Sequence, residues 1–189
     1  MNIQFDGKVV LITGGSAGIG LAAAELYGSL GAKVAICGTN AEKLTHAADG
    51  LKEKGITVFS ETCDVASGED LQRFADDTEK ALGPIDIWVS NAALCPQYSI
   101  LDTDDALWDK TVDTNMKSVF LGAKIAFRKM KDRGGVILLA SSFAALFPSV
   151  GSGVYAATKA AVTSMIKTLA AEMAPYGIRV NGYIPGVID

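Results

Sequence analysis

The sequence predicts an α/β fold with a single doubly wound parallel sheet and helices on both faces. Short runs of β-branched and apolar residues alternate with helical stretches along nearly the whole chain. A glycine-rich turn joins the first of these runs to the first helix, and polar residues follow the ends of several others. Strands that alternate with helices are typical of a parallel sheet covered on both faces, built with right-handed crossovers.

The predicted strands are short, and the first reads KVVLIT, which is typical of a strand buried on both faces. The predicted strands cover residues 8–13, 33–37, 56–63, 85–90, 136–140 and 179–184. The first predicted helix begins at the glycine turn and ends at residue 30. The others cover residues 40–54, 68–82, 102–133 with a break near Asp113, and the stretch between Ser152 and Pro175. Without repeats or a linker, residues 1–189 are expected to form one domain.

The turn after the first strand, residues 13–20, reads TGGSAGIG. Glycines permit a tight turn and let backbone N–H groups approach a pyrophosphate at the start of the next helix. The spacing GxxxGxG differs from the GxGxxG of the standard dinucleotide fingerprint. We interpret these residues as the phosphate-binding turn of a Rossmann-like fold. The alternative is a glycine turn with a structural role only.

Tyr155 and Lys159 are four residues apart in a helical pattern, so they share one face of that helix. A nearby cation lowers the pKa of a phenol, and a phenol with a lowered pKa can transfer protons near neutral pH. Ser142 lies upstream, beyond a predicted strand end, where its hydroxyl can hold a substrate oxygen. The alternative for the pair is a packed ring beside a solvated amine.

The composition argues against several classes of partner. The chain is 49% hydrophobic and 20% charged, with a net charge of −4 and no basic block, which excludes a nucleic-acid or anionic-membrane surface. We see no signal peptide and no apolar run of membrane-spanning length, so cytoplasmic localisation is expected. Cys37, Cys63 and Cys95 have no metal or redox spacing, and His46 lies in a polar helix, so no metal site is predicted.

Taken together, these motifs resemble those of the short-chain dehydrogenase/reductase family, and particularly its 3-oxoacyl-carrier-protein reductase-like members. The resemblance covers nearly the whole chain. The matching motifs are Thr13-Gly14-x-x-x-Gly18-x-Gly20, Asp64-Val65, Asn91-Ala92, Asn115, Ser142, Tyr155-x-x-x-Lys159 and Pro185-Gly186. The resemblance implies hydride transfer between NAD(P)(H) and a carbonyl or secondary alcohol.

The resemblance also implies four catalytic roles. Tyr155 is expected to act as the general acid in reduction and the general base in oxidation. Lys159 is expected to lower the pKa of that phenol and bind the nicotinamide ribose, and Ser142 to polarise the carbonyl. Asn115 is expected to hold a water that links Lys159 to solvent, with a helix-breaking polar residue as its alternative.

The same resemblance implies cofactor contacts along the carboxyl ends of the strands. The expected contacts are Gly14, Ser16, Gly18, Ile19, Gly20, Thr39, Asn40, Asp64, Val65, Asn91, Ala92, Tyr155, Lys159, Pro185, Gly186 and Ile188. Asp64 is expected to bind the adenine amine, or alternatively to cap a helix. The residue that would be acidic for NAD is Gly38, and Thr39 and Asn40 can bind a 2′-phosphate, so NADP is favoured over NAD.

Two departures from the family pattern carry expectations of their own. Ser90-Asn91-Ala92-Ala93 replaces the frequent Asn-Asn-Ala-Gly, which places a methyl group where the cofactor approaches. The sequence ends at Asp189, whereas family members continue through a substrate-covering segment, a last strand and a last helix. We therefore expect the domain to be incomplete at its C-terminus and its activity to be impaired.

The loops near the expected nicotinamide site, residues 94–98 and 143–150, are mostly apolar and lack arginine and lysine. They favour a neutral, fairly apolar ketone or alcohol; the alternative is that these side chains pack on neighbouring loops. A homo-oligomer, a dimer or tetramer, is expected from the resemblance. The apolar residues that can supply its contact are Ala123, Ala126, Phe127, Met130, Met165, Leu169 and Met173, which can equally be core.

Two other functions compete with the oxidoreductase. The first is a non-catalytic dinucleotide-binding sensor or scaffold, against which the set of Ser142, Tyr155, Lys159 and Asn115 argues. The second is a sugar-nucleotide epimerase, which shares the Tyr-x-x-x-Lys pair but usually has another glycine spacing and a larger substrate domain.

Overall fold

The computed structural model describes residues 3–188 and contains a six-stranded sheet in the order β3-β2-β1-β4-β5-β6. The strands are β1 Val9–Thr13, β2 Lys33–Gly38, β3 Val58–Thr62, β4 Ile87–Ser90, β5 Gly135–Ala140 and β6 Ile178–Tyr183. Every pairing in this sheet is parallel, which confirms the doubly wound fold. The chain order reverses between β1 and β4, so their carboxyl ends form the switch point where ligands bind in such sheets.

The described part of the chain contains six α-helices, and all except the fourth pack against the sheet. They are α1 Gly18–Ser29, α2 Ala41–Glu53, α3 Gly68–Leu82, α4 Asp105–Val112, α5 Ser118–Met130 and α6 Gly153–Met173. Helices α1 and α2 bury their apolar residues against one face, and α3, α5 and α6 against the other, so the sheet separates two cores. Within residues 3–188, no helix combines the length and the apolar character needed to cross a membrane.

The predicted strands and helices are confirmed, and most of their ends move by only one or two residues. The predicted break near Asp113 takes the form of one π-helical turn, Asp113–Lys117, between α4 and α5. The backbone stays helical on both sides of that turn, because Val112 and Ser118 both have right-handed helical dihedral angles. The chain therefore widens at Asn115 without breaking, a feature that is frequent at functional sites.

Two polar side chains, buried Thr13 and partly buried Asn91, hold the carboxyl ends of β1 and β4 together. The Thr13 hydroxyl accepts hydrogen bonds from the backbone N–H groups of Asn91 (3.0 Å) and Ala92 (3.1 Å). The Asn91 amide donates to the carbonyls of Thr13 (3.1 Å) and Gly14 (3.2 Å). The glycine turn is thereby attached to the loop after β4.

Candidate active site

The glycine turn needs glycine at three positions for different reasons. Gly14 and Gly18 have positive φ angles of 67° and 53°, which side chains rarely adopt. A Cβ atom on Gly20 would lie 2.2 Å from the Gly14 carbonyl oxygen, so Gly20 lets α1 approach the turn closely. Ala17 precedes α1 without a capping side chain, and the first N–H groups of the helix remain available to an anion.

A cleft of about 880 Å³ opens above this turn, along the carboxyl ends of β1, β2 and β4. Nine of the predicted cofactor contacts line it: Gly14, Ser16, Gly18, Ile19, Thr39, Asp64, Val65, Asn91 and Ala92. A phosphate could enter at the α1 N-terminus, and the end of the cleft beside Asp64 and Val65 could take a base. The residues of the cleft therefore fit an extended dinucleotide.

The cleft also has a wall that the sequence did not indicate. Lys110, Asp113 and Thr114 line it from α4 and the π-helical turn. The spacings i, i+3 and i+4 place these three residues on one helix face, but the strand-end motifs gave no reason to select that face. Lys110 is the cation among the lining residues, and none of the ion pairs found within residues 3–188 includes it.

The other predicted contacts lie around this cleft. Gly20 lies beneath the turn, and Asn40 caps α2 by accepting a hydrogen bond from Lys43 N at 2.8 Å. The Pro185 carbonyl accepts from Phe143 N at 3.0 Å, which joins the segment after β6 to the loop that follows Ser142. Gly186 and Ile188 are exposed beyond it.

Lys159 is buried, with 2% of its surface exposed. The last residue of β5 and the residue after it each form a hydrogen bond with Lys159. Its ammonium donates to the Ala140 carbonyl at 2.8 Å, and the Ser141 hydroxyl donates to its backbone carbonyl at 3.1 Å. The ammonium lies 5.7 Å from the centre of the Tyr155 ring. Burial disfavours the charged amine and lowers the pKa of Lys159 to about 8.

The pKa of Tyr155 corrects one expectation. Burial raises this pKa above its ordinary value, while the neighbouring Ser142 hydroxyl acts to lower it and the Cys95 thiol to raise it. The lowering by Lys159 that the sequence predicted is absent in this structure. The physical reason is that the lysine is itself desolvated and directs its ammonium to the Ala140 carbonyl.

Asn115 is fully buried and joins the loop after β4 to α6. Its amide donates to the Leu94 carbonyl (2.8 Å) and to the Thr158 hydroxyl (3.1 Å), and its oxygen accepts from Leu94 N (2.7 Å). Both amide protons are therefore used within the protein. The water expected at Asn115 stays a prediction.

Three side chains that position the site were missed. Thr13 belongs to the glycine motif, but only the fold reveals that its hydroxyl binds the loop after β4. Ser141 is adjacent to Ser142, and no sequence motif indicated that its hydroxyl binds the Lys159 backbone carbonyl. Tyr183, at the end of β6, donates to the Asn91 amide oxygen at 3.0 Å, and no sequence pattern indicated this.

The lowered pKa of Lys159 predicts a distinct dependence of stability on pH. Between pH 8 and 10.5 the unfolded chain holds a proton on this lysine that the folded chain releases, so stability rises with pH. We expect the free energy of unfolding of the natural chain, minus that of Lys159→Met, to increase across this window. Urea unfolding of both proteins at a series of pH values measures it, and a flat or falling difference would contradict it.

Comparisons with known proteins agree with this geometry. Residues 8–189 match the sequence model of the short chain dehydrogenase family. The human "Dehydrogenase/reductase SDR family member 4" is 39% identical over 183 residues, which cover 96% of this chain and 66% of that protein. An "L-rhamnose 1-dehydrogenase (NAD(P)(+))" from Azotobacter vinelandii is 37% identical over 96% of this chain and 73% of its own length.

Solved structures give the same result. A short chain dehydrogenase from Mycobacterium smegmatis superposes with a TM-score of 0.93 at 31% identity, over 97% of this chain and 78% of that one. An actinorhodin polyketide ketoreductase with NADPH superposes with a TM-score of 0.93 at 31% identity, over 96% of this chain and 71% of that one. With the family match over residues 8–189, these similarities show that the chain belongs to the short-chain dehydrogenase/reductase family.

Proposed function

We propose that this protein is an NAD(P)(H)-dependent oxidoreductase that interconverts a carbonyl compound and a secondary alcohol. The observation that carries the proposal is the convergence of Ser142, Tyr155 and buried Lys159 at the carboxyl end of the sheet that also bears the glycine-turn cleft. A bound nicotinamide coenzyme supplies or accepts the hydride. The residues of the chain hold the substrate and move the proton.

The hydrogen bonds of Ser142 support a role as a donor to the substrate. Its hydroxyl oxygen already accepts a hydrogen bond from Ala144 N at 3.2 Å. The hydroxyl proton is then available for the oxygen of a bound substrate. A carbonyl held in this way is polarised towards attack at carbon.

The state of Tyr155 supports a role as the proton donor in reduction. Because burial raises its pKa, the phenol keeps its proton at neutral pH and can transfer it to the oxygen of the reduced substrate. In the oxidative direction the phenol must first lose that proton, so oxidation is expected to become faster as the pH rises. Lys159, held by the Ala140 carbonyl and with a pKa of about 8, is protonated at neutral pH and keeps a cation beside the phenol.

Replacement of Tyr155 by phenylalanine tests the proposal, because it removes the proton donor and keeps the ring. We expect kcat to fall by about 10²- to 10⁴-fold, with coenzyme binding retained. Nicotinamide absorbance, followed over a panel of neutral ketones and alcohols with both coenzymes, measures the loss. Tyr27→Phe changes a tyrosine that lines neither the cleft nor the groove between α5 and α6 and is the matched control. Unchanged turnover in Tyr155→Phe would refute the role of this tyrosine, whereas a natural chain that binds coenzyme without any turnover would favour the sensor or scaffold.

The end of β2 supports a preference for NADP over NAD. Gly38 carries no carboxylate, and a Cβ atom there would lie 2.9 Å from the Ser16 hydroxyl oxygen. The hydroxyls of Ser16 and Thr39 line the cleft beside it and can bind a 2′-phosphate, and Lys110 lines the same cleft. Among the relatives, one is named for NAD(P)(+) and one structure contains NADPH, so the comparisons leave both coenzymes open.

A carboxylate at position 39 tests this preference. We expect Thr39→Asp to lower kcat/KM for NADPH at least about tenfold more than for NADH, because the new charge repels the 2′-phosphate. The ratio of kcat/KM for the two coenzymes gives the result. Thr45→Asp, on the exposed face of α2, adds the same charge away from the cleft and should leave the ratio unchanged. An unchanged ratio in Thr39→Asp would refute the preference.

The mouth of the site supports a neutral, fairly apolar substrate, with a 3-oxoacyl group as one possibility. Phe143 and Phe147 stack with their ring centres 4.4 Å apart, and each is about half exposed. Tyr98 and Leu146 are exposed as well. Side chains of this kind favour apolar parts of a substrate over a carboxylate or phosphate, which would need a cation.

A second copy of this chain is the partner that we propose, on a groove between α5 and α6. Its apolar lining includes Phe120, Phe127, Met165 and Leu169. Lys124 and Arg128 lie on α5 and Glu172 on α6, so a two-fold pairing of these helices can bring opposite charges together. Ala126 and Met130, two of the residues expected here, are fully buried in the core of their own chain and cannot contribute.

A charge in this groove tests the pairing. We expect Leu169→Glu to shift sedimentation from the dimer or tetramer to the monomer, because it places a carboxylate in the apolar contact. Lys167→Glu changes an exposed residue of the same helix outside the groove lining and serves as the control. Sedimentation of the natural chain as a monomer would refute the proposal.

A further inference from the structure

Tyr183 reaches across the sheet to a residue that holds the glycine turn. It ends β6, where it is paired with Ala140 of β5, and β5 separates it from β4. Its phenol nevertheless donates to the amide oxygen of Asn91, just after β4, at 3.0 Å. Burial raises the pKa of this phenol to about 12, so it remains a hydrogen-bond donor through the working pH range.

The bond from Tyr183 determines which way the Asn91 amide points. The NH₂ group of Asn91 donates to the carbonyls of Thr13 and Gly14, at 3.1 and 3.2 Å. A half turn of the amide would place its oxygen against these two carbonyl oxygens and would lose both bonds. The phenol favours the observed orientation, because it supplies a donor where the amide oxygen lies.

The Gly14 carbonyl is also the point at which α1 meets the turn. An ideal Cβ atom on Gly20, in the first turn of α1, would lie 2.2 Å from that carbonyl oxygen and 2.6 Å from the Asn91 amide nitrogen. The Asn91 amide therefore lies at the contact between the glycine turn and the N-terminus of α1. We therefore expect a change in its orientation to alter the position of the backbone N–H groups at the start of α1.

We propose that Tyr183 is a positioning residue for coenzyme binding, which acts through Asn91 on the glycine turn. It touches neither the coenzyme nor the substrate in this role. The inference rests on the proposed function, because it assumes that the cleft takes a nicotinamide dinucleotide. It goes beyond that function in assigning coenzyme affinity to a residue at the far side of β5.

The test is Tyr183→Phe, which removes the hydroxyl and keeps the ring. We expect the Kd for NADPH and NADH, measured by nicotinamide fluorescence, to rise about three- to tenfold, the value of one net hydrogen bond. The kcat at saturating coenzyme and the KM for the carbonyl substrate should stay unchanged. Tyr27→Phe is the matched control, because its phenol packs on the same face of the sheet and has no hydrogen-bond partner among residues 3–188.

Hydrogen exchange gives a second readout that does not depend on turnover. In Tyr183→Phe, peptides that cover residues 13–21 should exchange faster than in the natural chain, while peptides from α2 and α3 should not. An unchanged Kd, or an equal rise in Tyr27→Phe, would overturn this inference and leave the proposed function standing. Failure of the natural chain to bind either coenzyme would overturn the proposed function and the inference together.

Discussion

The fold and the candidate site both depend on the junction between the carboxyl ends of β1 and β4. Thr13 and Gly14 are joined there to Asn91 and Ala92 by four hydrogen bonds, and the Thr13 side chain that accepts two of them is buried. A buried polar group left without a partner costs about 1–3 kcal/mol, so this set is stable only when it is complete. Its completeness fixes the glycine turn relative to the loop after β4, and the cleft lies between these two segments.

The second constraint is the burial of a lysine. A charged amine in the core is costly unless its protons find acceptors, and here the Ala140 carbonyl supplies one. The cost remains visible in the lowered pKa of Lys159. A buried group with a perturbed pKa beside a second titratable group is a candidate for a functional role. Burial also raises the pKa of Tyr155. At neutral pH the phenol is therefore protonated, while the Lys159 amine, with a pKa of about 8, loses its proton more easily than an exposed lysine does.

The two halves of the site are built differently. The cleft over the glycine turn consists of backbone and small side chains, which suits close approach by phosphate groups. The half around Tyr155 consists of large apolar side chains with a few convergent polar groups, which suits a small organic substrate. Asn115 connects the halves, since its side chain bonds both the loop after β4 and α6.

The sequence alone determined the order of strands and helices and the place of the cleft, and it selected Ser142, Tyr155 and Lys159 as candidates, because these depend on local periodicity and on motifs that follow strand ends. Only the tertiary structure decided how the polar groups are used. The pKa of Tyr155 follows from burial, and the hydrogen bonds of Thr13 and Tyr183 and the place of Lys110 in the cleft wall follow from the approach of residues far apart in the chain. Such contacts cannot be predicted from local periodicity or motifs, because the two partners are far apart in the sequence and neither belongs to a pattern that points to the other.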